Sequence, residues 1–200
     1  TFHDELIRLI FDYTAAHVYH PTTSGSRDEK IAIIATGGYG RGLLAPYSDI
    51  DLLFILPYRQ TPWSESVAEY MLYLLWDLGL KVGHATRTVS QCVSLARSDM
   101  TIRTSLLDTR YLLGDRELFE DFETRFREDV VKGTAREFIA AKMGERESRH
   151  AQTGESRYRV EPNVKDGKGG LRDLHTLHWL SSYVYGCGLD GEDLPKGVFE

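Results

Sequence analysis

The sequence predicts an α+β protein, in which a small mixed sheet with flanking helices is followed by a helical domain. The predicted elements alternate as α-β-turn-β-α-β up to about residue 113, and only helical patterns follow. Hydrophobic residues make up 42% of the 200 residues and aromatic residues 11%, which is enough to build a core and excludes a disordered chain. We therefore predict two domains, over 1–113 and 114–200.

Three strands and one turn are predicted in the first half. Apolar runs over 31–36 and 50–56 are typical of strands that are buried on both faces, although Asp51 interrupts the second run. The glycine-rich segment 37–46 between them is predicted to be a turn. Alternation of residue types predicts a third strand over 81–88.

Helices are predicted from apolar residues at a spacing of 3.6 and from capping residues. The first covers 3–20 and is followed by a polar loop over 21–28. Another begins at Thr61 and Pro62, which suit the N-cap and the first helical position, and ends at Gly79. The remaining predicted helices cover 89–98, 101–113, 115–130, 134–150 and 171–185.

Composition excludes several classes of protein. The 24 basic and 30 acidic residues give a net charge of −6, which disfavours binding to DNA or RNA. No apolar run approaches the roughly 20 residues that a membrane helix requires. Cys92 and Cys187 have no metal-binding spacing, so we expect a reduced, cytoplasmic protein without a disulfide framework.

Two aspartates at the start of the second strand are the strongest chemical signal. Asp49 and Asp51 are two residues apart, so strand alternation places them on the same face. Two neighbouring carboxylates repel each other and lose hydration unless a cation lies between them. Mg²⁺ prefers one or two carboxylates together with substrate phosphates. The pair therefore predicts a site for a metal ion and a phosphorylated substrate.

The residues before these aspartates fit a phosphate. Gly37 and Gly38 let the backbone approach a phosphate closely and offer N–H groups to its oxygens. Arg41 and Ser48 can add a positive charge and a hydroxyl group.

A second cluster of glycines and cations precedes the last predicted helix. We predict that it binds the nucleotide, because a helix N-terminus with nearby cations suits an anion. The alternative is a surface turn in which Arg172 and Asp173 form an ion pair between domains. The residues assigned to nucleotide binding are Lys165, Gly169, Gly170 and Arg172.

These motifs resemble a known family. Gly37-Gly38, ten intervening residues and then Asp49-hydrophobe-Asp51 are similar to the signature of the DNA polymerase β-like nucleotidyltransferase superfamily. More narrowly, the string GGYGRGLLAPYSDIDLLFIL resembles the bacterial PII uridylyltransferase/uridylyl-removing family. The resemblance extends through further strings at 82–88, 106–110, 114–115, 161–162 and 169–177.

The resemblance implies an activity. Members of this family transfer UMP from UTP to a tyrosine of the trimeric PII signalling protein and release pyrophosphate. It implies that Asp49 and Asp51 hold Mg²⁺ on the triphosphate. Full-length members also carry a phosphohydrolase domain of the HD type and two ligand-sensing ACT domains. We expect this chain to be a fragment, with glutamine sensing only through domains that it does not contain.

The sequence departs from the superfamily pattern at one point. Members usually supply a third acid from a later strand, whereas the third predicted strand offers His84 but no carboxylate. Asp108 is the candidate for a third catalytic acid, although its segment is predicted to be helical. The alternative for Asp108 is an ion pair with Arg103 or Arg110. His84 is a second candidate to face the site, and its alternative is an ordinary strand histidine.

Two other functions remain open. One is a related adenylyltransferase that acts on glutamine synthetase, although the Gly-Tyr-Gly-Arg and Val-Gly-His strings favour the uridylyl family. The other is a regulatory nucleotide-binding module without turnover, against which the intact Asp49 and Asp51 argue.

Overall fold

A four-stranded mixed sheet lies at the centre of the first of two units, Thr1–Val130 and Val131–Glu200. The computed structural model describes residues 1–20, 29–42, 48–153 and 163–186. In order along the chain, the strands are β1 (Ala32–Ala35), β2 (Ile50–Leu56), β3 (Val82–Thr88) and β4 (Arg110–Gly114).

The strand order is β3-β2-β1-β4, so β3 and β4 are at the two edges of the sheet. β1 is antiparallel to both β2 and β4, and β2 is parallel to β3. Every residue of β1, and every residue of β2 except Asp51, is buried. The two central strands are therefore apolar because both of their faces are covered.

Six α-helices lie in the described part of the first unit. They are α1 (Phe2–Tyr13), α2 (Gly37–Gly40), α3 (Pro62–Asp77), α4 (Val89–Ser98), α5 (Met100–Leu107) and α6 (Arg116–Phe126). Capping boxes begin α1 at Thr1, α3 at Thr61 and α4 at Thr88. Apolar residues of α1 and α3 pack on β1 and β2 in one core that contains Ile7, Ile10, Val67, Met71, Leu75, Ile33, Phe54 and Leu56.

The second unit contains two described helices, α7 (Ala135–Thr153) and α8 (Leu171–Tyr185). They are joined at one end by a stacked aromatic pair, because the rings of Phe138 and Tyr183 lie 3.9 Å apart at an angle of 4°. The hydroxyl groups of Thr134 and Tyr183 are 2.7 Å apart. Among the described residues, no helix is long and apolar enough to cross a membrane.

The α+β fold class is confirmed, and so are the three strands predicted in the first half. The helix predicted over 101–113 is wrong in its second part, because α5 ends at Leu107 and β4 follows. Leu112 and Leu113 are buried where β4 pairs with β1, a long-range contact that local periodicity does not report. Gly114 has a φ of 95°, and a Cβ there would lie 2.2 Å from the Ile31 carbonyl oxygen.

Smaller differences concern the ends of elements. The first helix continues beyond Tyr13 as a π-helical turn, Thr14–Val18, and the glycine-rich turn begins as the short helix α2. The predicted domain boundary lies after residue 113, whereas the observed division follows Val130. The two differ because α6 packs against β1, β2 and β4. The predicted loop 21–28 and Cys187 lie outside the described residues.

Candidate active site

The end of β1 is tied directly to the start of β2. The Thr36 N–H donates to the Asp51 carbonyl oxygen at 3.0 Å, which continues the pairing of Ala35 with Leu52. α2 then begins at Gly37, whose φ of 57° is in the left-handed region that glycine adopts without strain. The first N–H groups of a helix have no acceptor within the helix. Because Thr36 pairs with Asp51, the first N–H groups of α2 lie beside β2.

The Asp51 carboxylate stands between two glycines. A Cβ built on Gly37 would lie 3.4 Å from Asp51 Oδ2, and one built on Gly83 would lie 2.6 Å from Oδ1. Asp51 and Gly83 are register partners in β2 and β3. The predicted residues Gly37 and Asp51 are thus brought together, whereas Gly83 was missed. Only its pairing with Asp51 identifies it, and that pairing is not visible in the sequence.

Electrostatics around Asp51 favour a cation. Burial raises the pKa of the half-buried Asp51 carboxyl above its usual value, and the nearby Asp49 carboxylate raises it further. No hydrogen bond or ion pair from the described part of the chain reaches either side chain. The carboxylate pair is therefore uncompensated by the described residues.

These donors fit Mg²⁺ bound together with a phosphorylated substrate. Both side chains offer hard oxygen ligands, which Mg²⁺ prefers. The residues described by the structure contain no group of three or more His, Cys, Asp or Glu side chains that could hold a metal. Two carboxylates leave several coordination positions for phosphate oxygens and water, as is usual for Mg²⁺ at nucleotide sites.

Asp108 lies in a different setting from the one predicted. It follows α5 and precedes β4, so the prediction that it lies within a helix is wrong. Its carboxylate forms an ion pair with Arg41 Nη1, and the two side chains are only 3% and 10% exposed. Of the predicted partners, Arg110 instead binds Asp4 at 3.1 Å. Arg103 donates to the carbonyl oxygen of Ala96 at 2.7 Å.

Arg41 connects this ion pair to the glycine segment. Its Nη2 atom lies 3.7 Å from the position that a Cβ of Gly38 would occupy. The backbone is also closely packed here, because a Cβ on Gly40 would lie 2.0 Å from the Asp108 carbonyl oxygen. The Asp108 carboxylate therefore fixes one end of the guanidinium while the other end lies beside Gly38.

The other residues predicted for this site are Ser48, Asp49 and His84, and they have no contact with the glycine segment among those described above. Ser48 and Asp49 are exposed and immediately precede β2. His84 pairs with Leu52, so strand alternation places it on the opposite face of the sheet from Asp51 and Gly83. Its ring contacts Trp76 edge-on, with the ring centroids 5.9 Å apart. This is the ordinary strand histidine that the alternative interpretation describes.

The second predicted cluster forms a tight turn before α8 in the second unit. The Asn163 side chain accepts hydrogen bonds from the N–H groups of Lys165 and Asp166, and Gly169 has a φ of 76°. A Cβ on Gly170 would lie 2.6 Å from the Val164 carbonyl oxygen. Both glycines are therefore required by the turn itself. Lys165 and Lys168 are exposed residues of this turn.

Asp173 holds the turn against α7. Its Oδ2 accepts the Gly169 N–H at 2.7 Å, and its Oδ1 accepts Arg149 Nη2 at 2.7 Å. His150 Nε2 lies 3.0 Å from both carboxylate oxygens. Burial by itself would raise the pKa of Asp173, but the hydrogen bonds from Gly169 and Arg149 outweigh it and lower the pKa to about 2.

The Asp173 carboxylate also has arginine neighbours in α7. Arg146 and Arg149 both lie within ion-pair distance of it. Arg172 instead lies 3.6 Å from Asp166, whereas the alternative interpretation of the sequence paired it with Asp173.

Comparison with family models defines the class of this fold and site. A model described as "Nucleotidyltransferase domain" matches residues 24–111, and one described as "GlnD PII-uridylyltransferase" matches residues 137–198. Residues 24–111, within the first unit, are therefore similar to a nucleotidyltransferase domain. The first match contains the Gly37-Gly38 and Asp49–Asp51 motif, and the second contains the Gly169-Gly170 turn.

Curated relatives narrow the class. The bifunctional uridylyltransferase/uridylyl-removing enzymes of Rhodopseudomonas palustris and Nitrobacter hamburgensis are each 60% identical to this chain over 98% of its length. The chain is therefore homologous to these enzymes over almost its whole length, and the resemblance predicted from the motifs is confirmed. It spans 21% of the length of these relatives.

One solved structure, a toxin–antitoxin complex with AMP-PNP, covers 72% of this chain. It is 14% identical with a TM-score of 0.38, which is too low to support any inference.

Proposed function

We propose that this chain transfers UMP from UTP to a tyrosine of the PII signalling protein, in an Mg²⁺-dependent reaction that releases pyrophosphate. The observation that carries the proposal is the Asp49–Asp51 pair, whose charge no described residue compensates, beside the glycine start of α2. The names of the relatives and of the family model refer to uridylyl transfer and to PII, which supports UTP as the donor and PII as the acceptor.

Asp49 and Asp51 would hold Mg²⁺ through their carboxylate oxygens. When bound, the ion supplies positive charge to the attacking and leaving oxygens of an in-line displacement at the α-phosphorus. The chain itself supplies a cradle in which the N–H groups at the start of α2 donate to phosphate oxygens. Because Gly37 and Gly38 have no side chains, a phosphate can approach this backbone closely.

Arg41 adds a fixed positive charge to the cradle. Its Nη1 is held by Asp108, so the guanidinium loses little rotational freedom when a phosphate binds beside Gly38. We assign to Asp108 the positioning of Arg41, since its carboxylate already serves this cation. Ser48, exposed next to Asp49, can donate its hydroxyl hydrogen to a phosphate oxygen.

The second unit contributes a separate anion-binding element in this proposal. Lys165, Lys168 and Arg172 are cations in or next to the turn that Asp173 holds rigid. We propose that the side chains of Lys165 and Arg172 contact the nucleotide. The N–H groups of Gly169 and Gly170 already donate to the Asp173 carboxylate and to the Gly167 carbonyl oxygen, so these glycines serve by shaping the turn.

The test is label transfer from α-labelled UTP to purified PII, with Mg²⁺ or with EDTA. Parallel reactions use labelled ATP or CTP as donor and glutamine synthetase as acceptor. Labelling of PII from UTP that EDTA abolishes supports the proposal. Labelling of glutamine synthetase from ATP instead would identify an adenylyltransferase. Calorimetric binding of UTP without any transfer would identify a regulatory module.

A pair of variants connects the activity to the site. Asp51→Asn removes a proposed metal ligand and should abolish labelling. Gly144→Ala, at an exposed position in α7 where a Cβ meets nothing within 4 Å, should label PII as the parent chain does. Full labelling by Asp51→Asn would refute the assignment of the metal site.

A further inference from the structure

We propose that Gly83 is a positioning residue for Asp51: the missing side chain at residue 83 is what allows the Asp51 carboxylate to adopt its metal-binding orientation. The proposal rests on the metal site of the proposed function. It extends that function, because the metal site then also requires that residue 83, in the neighbouring strand β3, has no side chain, although residue 83 supplies no ligand atom.

The pairing of β2 with β3 creates the requirement. Asp51 and Gly83 are register partners in parallel strands, so the side chain of one and the Cβ position of the other lie on the same face. A Cβ at residue 83 would lie 2.6 Å from Asp51 Oδ1. That separation is closer than real Cβ atoms come to a neighbouring atom, so one of the two groups would have to move.

Asp51 is the group that would move. Apart from Oδ1, the nearest atom to a Cβ at Gly83 is the carboxyl carbon of Asp51 itself, at 3.8 Å. Gly83 is not among the described glycines with positive φ, so alanine is compatible with its backbone. Gly40 and Gly114 differ in kind, because there a Cβ would meet backbone carbonyl oxygens at 2.0 and 2.2 Å.

The size of the displacement decides its effect. Ordinary contact begins at 3.4 Å, so the Asp51 oxygen must retreat by about 0.8 Å. Metal ligands are held to within about 0.2 Å of ideal distances, and Mg²⁺ demands near-ideal octahedral geometry. A methyl group at residue 83 is therefore accommodated by the fold but not by the metal site.

Gly37 bounds the same carboxylate on its other side. Its Cβ position lies 3.4 Å from Oδ2, so Asp51 occupies a slot between two residues without side chains. A substitution at Gly37 would also strain the backbone, because its φ is 57°. Gly83 is therefore the position at which the orientation of Asp51 can be tested without a change in backbone conformation.

The experiment compares Gly83→Ala with the parent chain, with Gly144→Ala as the matched substitution and Asp51→Asn as the variant lacking the ligand. The carbon-13 resonance of the Asp51 carboxyl carbon is recorded without metal, with the Asp173 resonance as an internal reference. Mn²⁺ binding is then measured by electron paramagnetic resonance, and the Tm by circular dichroism.

We expect Gly83→Ala to shift the Asp51 resonance, to leave that of Asp173 unchanged and to weaken Mn²⁺ binding by about tenfold or more. Its Tm should be equal to that of the parent or higher, because alanine restricts the unfolded chain more than glycine does. Gly144→Ala should leave both the Asp51 resonance and Mn²⁺ binding unchanged.

An unmoved Asp51 resonance, Mn²⁺ binding equal to that of the parent, or a fall in Tm would each overturn the proposal. If the parent chain itself binds no Mn²⁺, the metal site of the proposed function fails instead. The resonance comparison in the metal-free protein still decides whether residue 83 sets the orientation of Asp51. The two failures are therefore distinguishable.

Discussion

Removal of the Asp108 carboxylate should destabilise the first unit by about 3 kcal/mol, at the lower end of the range for breaking a buried ion pair. In Asp108→Ala the Arg41 guanidinium loses the negative charge of the Asp108 carboxylate while its side chain remains nearly buried, at 10% exposure. That small exposure gives Arg41 some access to water, which is why we take the lower end.

The pair Arg116–Glu120 supplies the matched control. It is also an ion pair of the first unit, with its atoms 3.1 Å apart, but its side chains are 69% and 58% exposed. Glu120→Ala should therefore cost only about 0.3–0.5 kcal/mol. The comparison isolates burial as the cause of the difference between two arginine–carboxylate pairs.

Urea unfolding followed by tryptophan fluorescence measures both costs. Trp63 and Trp76 belong to the first unit and Trp179 to the second, so the measurements are made in a Trp179→Phe background. The double variant Arg41→Met/Asp108→Ala should recover at least 1 kcal/mol relative to Asp108→Ala, because the buried guanidinium is removed together with the carboxylate that offsets its charge.

Equal costs for Asp108→Ala and Glu120→Ala would refute this reasoning. Asp108 would then not hold Arg41 through a buried charge, and its role as a third catalytic acid would be the better explanation. A double variant as unstable as Asp108→Ala would place the cost in lost packing instead.

Three further predictions follow from the charges and from one glycine. Asp51→Asn should raise the free energy of unfolding at pH 7 without metal. The pKa of Asp51 is raised in the folded protein, so its carboxylate makes folding less favourable at a pH above 3.8, the usual pKa of an aspartate. Urea titrations of the variant and the parent measure this difference, and a lower free energy of unfolding for the variant would contradict the prediction. The lowered pKa of Asp173 means that the charged carboxylate contributes to the free energy of unfolding above pH 4, and that this contribution is lost as pH falls towards 2. Asp173→Asn should therefore remove that part of the dependence of stability on acid pH, measured by Trp179 fluorescence. An unchanged acid profile would count against the contacts with Arg149. Gly144→Ala should stabilise α7 by up to about 1 kcal/mol in thermal unfolding, and a lower Tm would show that a contact was missed.

Elements with local signals could be predicted from the sequence. Capping residues and apolar spacing give α3, α4 and α8 closely, because these signals lie within the element itself. β4 was missed because its five residues are stabilised by pairing with β1, and no local pattern separates them from the end of α5. The helix prediction over 101–113 therefore extended across a boundary that only tertiary structure creates.

The residues of the candidate site also differ in whether the sequence could predict them. Asp49, Asp51 and the Gly37-Gly38 pair stand out because a carboxylate in an apolar strand needs a physical reason. The partners of those residues do not stand out: Arg41 and Asp108 are 67 positions apart, and Arg149 and Asp173 are 24 positions apart. A charged residue in the sequence indicates that a partner is needed, but not which partner the fold supplies.

Strand pairing, rather than the ten residues that separate the two motifs, places Gly37 beside Asp51. Antiparallel pairing places Ala35 opposite Leu52, and the Thr36 N–H then meets the Asp51 carbonyl oxygen. The residue after Thr36 consequently lies beside the Asp51 side chain, whatever path the connecting segment takes. Parallel pairing of β2 with β3 places Gly83 on the other side by the same logic. Sheet register, set by buried apolar residues of β1 and β2, thus fixes the slot in which the carboxylate stands.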